Sequence, residues 1–427
     1  MNRWTQQARE LDAADPLSRF REEFWIPRHD DGTDQLYFCG NSLGLQPKRL
    51  EAEMARELVH WKDEAVEGHF KGELPWMPYH ENLREPLAAL VGARPSEVVA
   101  MNSLTVNLHL LMVSFFRPKR DRCKIVIERQ PFPSDRYAVE SQLRFHGLDP
   151  SNNLVQIGEG ASDRVIDEQL LEDYLSRHGD EVALVLWPGV HYATGQLFDL
   201  SRLTAAAHAA GAMVGFDLAH AAGNVPLALH DDGPDFAAWC SYKYLNSGPG
   251  AVAACFVHQR HHDDSAGGKL PRFQGWWGTD PETRFYMGPE FIPAAGADAW
   301  QLSNPPVLAL APVRVSLQVF QEAGMDALRE RSVRMTGWLE SVLQEHFDDL
   351  VQILTPAEPE RRGCQLSLRV CAGREAGRRL FQFLQDRGVI TDWREPDVIR
   401  VAPVPLYNRF EDCAGLCGQL ESFRSAI

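Results

Sequence analysis

An α/β fold in two units is what this sequence predicts: a large domain built on a mainly parallel, seven-stranded sheet and a smaller α+β domain. Three observations predict it. Seven short apolar, partly β-branched runs occur at 98–101, 124–128, 154–157, 183–187, 213–217, 236–240 and 251–257. Helix-capable stretches such as 167–178 and 200–210 separate most of them, which is the pattern of βαβ units. Beyond about residue 260 the rhythm stops and a different composition begins. Runs such as ALVLW lack polar alternation, as strands buried on both faces do.

Taken in order, residues 1–70 hold two helices around the short strand LYFC, which runs into the turn Gly40-Asn41-Ser42-Leu43-Gly44. This segment is expected to pack with the small domain. Residues 71–305 form the large domain. Within it, HHDDSAGGKLPRFQGWWGTD is rich in glycine, proline and aromatic residues and reads as a long loop, a class more often functional than filler. SNPPV then opens a helix-prone stretch through Phe347. The small domain, 306–427, has two strands, QLSLRV and VIRVAPVP, flanked by helices. No internal repeat is visible.

Composition narrows the function classes. The 427 residues are about three times a typical domain of ~150. A composition of 44% hydrophobic and 24% charged residues excludes collagen-like and disordered chains. No apolar run approaches the ~18 residues of a transmembrane helix. The start, MNRWTQQARELDAADP, lacks the apolar core of a signal peptide, so a cytoplasmic location is expected. A net charge of −16 with no basic face argues against a nucleic-acid partner. Eight cysteines without a CxxC pair fit reduced thiols better than disulfides or a zinc cage.

Ligands of open α/β sheets bind beyond the carboxyl ends of the strands, and polar groups cluster at several such ends. MVGFD ends in Asp217, with His220 just after it. AAWCSYKY places Tyr242 and Lys243 beyond another strand. VVAMNSLT sets Ser103, Leu104 and Thr105 between a strand and a helix, and KIVIERQPFPSD carries Phe132, Pro133, Ser134 and Asp135. Together they suit an aldehyde cofactor with a phosphate: a lysine for the Schiff base, a carboxylate for a ring nitrogen, an aromatic face, and a helix N-terminus for the phosphate. Singly, each has a plainer reading. Asp217 and Thr105 suit helix caps, His220 a packed histidine, Phe132 loop packing, and Trp276-Trp277 a core or interface pair. GEGASD lacks the third glycine of a dinucleotide fingerprint, and neither a P-loop nor a GxSxG elbow occurs. His258, His261, His262 and Asp263 have the composition of a metal cluster but not its helical spacing, and are read as a solvated loop with no metal.

FDLAH at 216–220, followed by Lys243 in CSYKYLNSGPG, resembles the pyridoxal-phosphate enzymes of the fold-type I, class V aminotransferase superfamily. Within it, GNSLGLQPK, NSLTVNLHLLMVSFF, FPSD, HYATGQ, GWWG, SNPPV and RVAPVPLYN resemble the kynureninase family, over nearly the whole chain. The resemblance implies pyridoxal 5'-phosphate as cofactor, with Lys243 as its Schiff-base residue, Asp217 on the pyridine nitrogen and His220 on the phenolate side. Phe132 would stack on the ring, while Leu104, Thr105, Pro133, Ser134 and Asp135 line the cradle. Tyr242, Trp276 and Asn304 match further cofactor positions, some able to cross a homodimer interface. Arg400 matches the arginine that grips the substrate α-carboxylate, and His69, Ser303 and Asn304 match positions near the aryl ring. Pro188 departs from relatives with a hydroxyl there and is left out of the site. The implied reaction is hydrolysis of L-kynurenine or its 3-hydroxy form to anthranilate or 3-hydroxyanthranilate and L-alanine, in tryptophan breakdown and NAD precursor synthesis. In that reaction Lys243 would act as general base, and Tyr242 is the candidate proton donor or relay. The polar pair His69 and Asn304 points to a preference for the 3-hydroxylated substrate. A desulfurase or aminotransferase of the same superfamily is the rival. A desulfurase needs a nucleophilic cysteine on a mobile loop, and the cysteines are read as lying mostly in strands or helices.

Overall fold

The computed structural model describes residues 4–158, 165–262 and 270–426. The strands are β1 Leu36–Tyr37, β2 Val98–Ala100, β3 Lys124–Glu128, β4 Leu154–Ile157, β5 Val182–Pro188, β6 Met213–Asp217, β7 Phe236–Trp239, β8 Ala254–Val257, β9 Val351–Ile353, β10 Leu366–Val370, β11 Val389–Ile390, β12 Asp392–Arg394 and β13 Val398–Val401. Strands β2 to β8 form one sheet in the order β2-β8-β7-β6-β5-β3-β4. Its neighbours are parallel from β7 to β4, and β8 runs antiparallel to both β2 and β7. The seven runs of the sequence thus become seven strands of a mostly parallel sheet.

The period of two explains how β5 is buried on both sides. Val185 and Trp187 enter the core on one face of the sheet, and Leu184 and Leu186 the core on the other. β6 alternates likewise, with Val214 and Phe216 in the first core. Gly215 leaves room for Phe236: a Cβ there would meet that ring at 2.1 Å.

The small domain departs from its two-strand expectation. It carries a four-stranded antiparallel sheet, β12-β13-β10-β9, and VIRVAPVP is extended only over Val398–Val401. Strands of three residues, such as β9 and β12, are too short for alternation to show in sequence. The helix-prone stretch after SNPPV is two helices, Val307–Ala323 and Met325–His346, broken at Gly324 with φ +77°. From the N-terminal segment, β1 pairs in parallel with β11, and the helix Thr5–Ala13 packs on Phe410–Ala426. Among the described residues, no helix is long and apolar enough to cross a membrane.

The solvated-loop reading of His258, His261 and His262 is overturned. His258 is buried, His261 bonds the buried Asp235 at 2.8 Å, and His262 bonds the Val257 carbonyl at 2.9 Å. These histidines close the amino-terminal edge of the sheet rather than face water. Asp263 and most of GEGASD lie outside the described residues.

Candidate active site

The carboxyl ends of β3, β5 and β6 and the turn after β7 converge on a cavity of about 220 Å³. Ten residues singled out in the sequence line it: Ser103, Leu104, Thr105, Phe132, Ser134, Asp135, Asp217, His220, Tyr242 and Lys243. Local chemistry sets each in place. Asp217 is the last residue of β6, and its Oδ1 accepts the Ala219 N–H at 2.7 Å, fixing the turn that delivers His220. Lys243 follows β7 in a turn locked from outside by the N-terminal segment. The Gly44 N–H donates to the Tyr242 carbonyl at 2.8 Å, and a Cβ on Gly44 would meet the Lys243 carbonyl at 2.3 Å. Only glycine permits that approach.

At the cavity's centre, Lys243 Nζ lies 3.0 Å from His220 Nε2 and 5.9 Å above the Phe132 ring centroid. Burial, followed by the charge of Lys243, pushes His220 well below the ordinary imidazole value, so it is neutral. Burial and the adjacent Asp217 push Asp135 well above the carboxylate range. Burial also keeps the Tyr242 phenol protonated far into alkali. On the opposite wall two helices begin side by side, Leu104–Phe115 and Pro133–Phe145, the second with proline at its first position. Thr105 Oγ1 and Ser134 Oγ lie 2.8 Å apart in their first turns. Free N–H groups and hydroxyls at paired helix starts make an anion cradle.

The other predicted residues lie elsewhere. Pro133 opens its helix without lining the cavity. Arg400 stands one layer behind it, donating to the carbonyl of the cavity residue Tyr192 at 2.9 Å. Trp276, Ser303, Asn304 and His69 do not line the cavity of the single chain. Ser303 and Asn304 are exposed, Trp276 donates to the Arg284 carbonyl, and His69 rests edge-on against Trp76.

Five cavity residues escaped the sequence reading or were set aside: Glu128, Pro188, Val190, Tyr192 and Ala219. Pro188, left out of the site, does line it: β5 pairs it with Asp217, and it offers an apolar wall in place of a hydroxyl. Glu128 ends β3 inside the cavity, pushed up to about 8 chiefly by burial, with Asp217 adding to the rise. The strand-end rule pointed to it, since KIVIE stops there. Tyr192 sits edge-on to Phe132 at 5.4 Å, and HYATGQ was its signal. The cysteine expectation is also corrected. Cys255 lies in β8 and Cys413 and Cys417 in the last helix, while the other five lie outside regular elements. Among the described residues no cysteine lines the cavity.

The residues fit the phosphorylated pyridoxal group that the resemblance implies. His220 Nδ1 is buried without a partner, as a group beside it would remedy. The buried carboxyls Asp217 and Asp135 face a single lysine, so a cationic ring nitrogen would relieve them.

Comparisons with known proteins bear on the family and the fold. Residues 328–420 match the family described as the kynureninase C-terminal domain. A kynureninase from Xanthomonas campestris pv. campestris (strain B100) is 56% identical over 416 residues, covering 97% of each chain. Two solved structures share the fold. A C-DES mutant with glycine covalently linked to its PLP cofactor superposes with TM-score 0.75 at 18% identity, over 93% of this chain and 98% of its own. The cysteine desulfurase CsdA from Escherichia coli gives 0.75 at 15% identity, over 96% and 99%.

Proposed function

This chain belongs to the kynureninase family, and from that premise we propose how its residues divide the work. It is a pyridoxal-phosphate enzyme that hydrolyses kynurenine; the desulfurases are only distant structural relatives. When bound, the cofactor supplies the electron sink that lets a Cα proton and then the Cβ–Cγ bond depart. Lys243 holds the cofactor through its amine and, once released, takes the Cα proton as general base. Neutral His220, 3.0 Å away, orients that amine and faces the cofactor's phenolate side. Asp217 pairs with the pyridine nitrogen, and Asp135 supports it from the cradle. Phe132 stacks on the ring and Leu104 closes the wall. Thr105, Ser134 and the helix start set by Pro133 take the phosphate.

Tyr242, which keeps its proton, serves as proton donor or relay to the substrate's carbon skeleton as the aryl acid leaves. Arg400 grips the α-carboxylate. Trp276 and Asn304 complete the cofactor site, and His69, Ser303 and Asn304 meet the aryl ring, across a homodimer interface. Exposed apolar side chains around them, Phe70, Phe285, Tyr286 and Met287, support that arrangement. We place the enzyme in the cytoplasm, in tryptophan breakdown and NAD precursor synthesis, with units at 1–70, 71–305 and 306–427.

The observation that carries this reading is the convergence of Lys243, His220 and Asp217 in one buried cavity. Purified protein supplied with pyridoxal phosphate should release alanine and anthranilate in equal amounts from kynurenine. Sulfur release from cysteine without kynurenine turnover would return the chain to the desulfurase reading.

A further inference from the structure

Arg400 is already occupied. Its side chain has 0% exposure, and four of its contacts are made within the protein. Nε donates to Asp392 Oδ1 at 3.0 Å, Nη1 to the Tyr192 carbonyl at 2.9 Å and Nη2 to Ser42 Oγ at 3.0 Å, while Asp392 Oδ2 faces Nη2 at 2.8 Å as an ion pair. Three of the five guanidinium N–H bonds are thus donated within the protein and the Asp392 ion pair covers the Nη2 side, which leaves the second N–H of Nη1 for a ligand. The two-pronged grip that a carboxylate prefers is therefore filled by Asp392.

A second guanidinium lies beside it. Arg394, two residues from Asp392 on β12, donates through Nη2 to Asp392 Oδ2 at 3.1 Å and to Ser42 Oγ at 3.4 Å. Its Nε is buried without a partner, while its side chain as a whole keeps 35% exposure. The charge of Arg394 reaches both Tyr192 and His220, which line the cavity. Charge balance shows what is missing. Arg394 and Arg400 bring two positive charges, and Asp392 brings one negative. Burial would raise its carboxyl, but Arg400, the Ser42 hydroxyl and Arg394 together hold it below the ordinary range. The neighbouring Cys39 thiol, pushed up to about 11 by burial, adds no charge near neutrality. One positive charge is left over in a largely buried site, and burial followed by the facing Arg400 pushes Arg394 below the usual guanidinium value. A single carboxylate would neutralise the group.

We propose that the α-carboxylate is bound by two arginines, with Arg394 supplying the second contact and Asp392 and Ser42 positioning both guanidinium groups. The proposal rests on the assignment of the α-carboxylate to the Arg400 pocket. Asp392 touches no substrate; it is a positioning residue that fixes both cations. The Gly40–Gly44 turn contributes Ser42, so the N-terminal segment enters the site through a hydroxyl that donates to Asp392 at 2.5 Å.

The test compares Arg394→Gln and Arg400→Gln holoenzymes on kynurenine and on its decarboxylated amine, which lacks only the carboxylate. Arg394→Gln should raise KM for kynurenine about tenfold, the size of one lost charge-assisted hydrogen bond, with kcat within about threefold. Its affinity for the amine, read as inhibition of turnover, should match wild type. Arg394→Lys should recover part of the loss, because it keeps the charge without the planar fork. If Arg394→Gln does not fold, Arg394→Lys carries the same two-ligand comparison. Wild-type behaviour of Arg394→Gln alongside an impaired Arg400→Gln overturns the two-arginine site and leaves Arg400 in its role. Equal weakening of both ligands assigns Arg394 to structure alone and also overturns it. Wild-type behaviour of both variants removes the carboxylate from this pocket altogether.

Discussion

Two buried clusters of histidines and carboxylates sit at opposite ends of the same sheet, and they behave oppositely. At the amino-terminal ends of the parallel strands, Asp235 accepts from Val214 N–H at 2.7 Å and pairs with His261 at 2.8 Å and His208 at 3.0 Å. Beside it, Glu97 accepts from the Arg94 and Gln259 N–H groups at 2.9 Å and meets His230 at 2.9 Å. At the carboxyl ends, Glu128, Asp135 and Asp217 share a cavity with one lysine. Burial raises carboxyls in both places. In the lower cluster the hydrogen-bond donors outweigh it, and Asp235 and Glu97 fall below the ordinary range. In the upper one the donors are too few to offset it, and Glu128 and Asp135 rise. Similar residue types therefore give a satisfied girder at one end and an unsatisfied receptor at the other. Glu97, His230 and His258 hold ligand atoms within 4.8 Å of one another, yet Glu97 and His230 bond each other and His258 Nδ1 accepts the Arg260 N–H. Proximity alone does not make a binding site.

Substitution at each end separates the two roles. Lys243→Ala should lower kcat/KM for kynurenine by on the order of a thousandfold or more, because both attachment and base are lost. Its thermal midpoint should stay close to that of wild-type apoprotein, since Lys243 is only half-buried. Normal turnover by a folded Lys243→Ala protein would remove the lysine from the chemistry. Asp235→Ala should do the reverse. Leaving the Val214 N–H and two histidines without their acceptor should cost about 3–5 kcal/mol of stability at fixed protein concentration. Activity per folded molecule should remain within about threefold. A large fall in kcat with unchanged stability would mean that the lower cluster reaches the chemistry.

The same contrast explains what was legible in the sequence. Strand ends are read locally, so Asp217, Lys243, Thr105 and Ser134 were visible from apolar runs and the residues after them. The lower cluster was not, because Asp235, Glu97 and His258 come from three separate segments that only pairing of β2, β7 and β8 brings together. That is why the histidines of 258–262 read as solvated. Ser42, Asp392 and Arg394 were hidden for a related reason. β12 is a three-residue edge strand with charged ends, and nothing in DWR marks it as extended or as facing Arg400.

Titration sharpens the comparison in the apoprotein. Glu128 keeps its proton in the folded state up to about pH 8, whereas an unfolded glutamate loses it near ~4.3. Between those values the folded state binds more protons, so stability falls as pH rises, by at most about 1.4 kcal/mol per pH unit from this group. Asp235 and Glu97 are depressed, so their contribution is present above the unfolded carboxylate value and is lost only as pH falls below ~4. Urea midpoints at pH 5, 6, 7 and 8 should therefore decline in wild type and decline less in Glu128→Gln. Parallel curves for the two proteins would show that Glu128 is ionised in the cavity.

The smallest effect lies furthest from the sheet. His69 and Asn304 can both hydrogen-bond a ring hydroxyl, and we place them beside the aryl group of 3-hydroxykynurenine. Buried polar partners left unpaired by the plain substrate would cost ~1–3 kcal/mol. Here the low end applies, because Asn304 is exposed in the single chain and the half-buried His69 already meets the Val66 carbonyl through Nδ1 at 3.0 Å. Only Nε2 remains to meet the hydroxyl. A preference of about fivefold in kcat/KM for the 3-hydroxy substrate follows from ~1 kcal/mol. His69→Trp with Asn304→Thr replaces two polar partners by an indole edge and a small hydroxyl, and should move the ratio toward unsubstituted kynurenine. Lys243 and Asp217 are untouched by this change, so the sum of activities should persist while the ratio inverts. A wild-type ratio that already favours kynurenine would detach these two residues from hydroxyl recognition and leave the unsatisfied receptor at the sheet's carboxyl end as it stands.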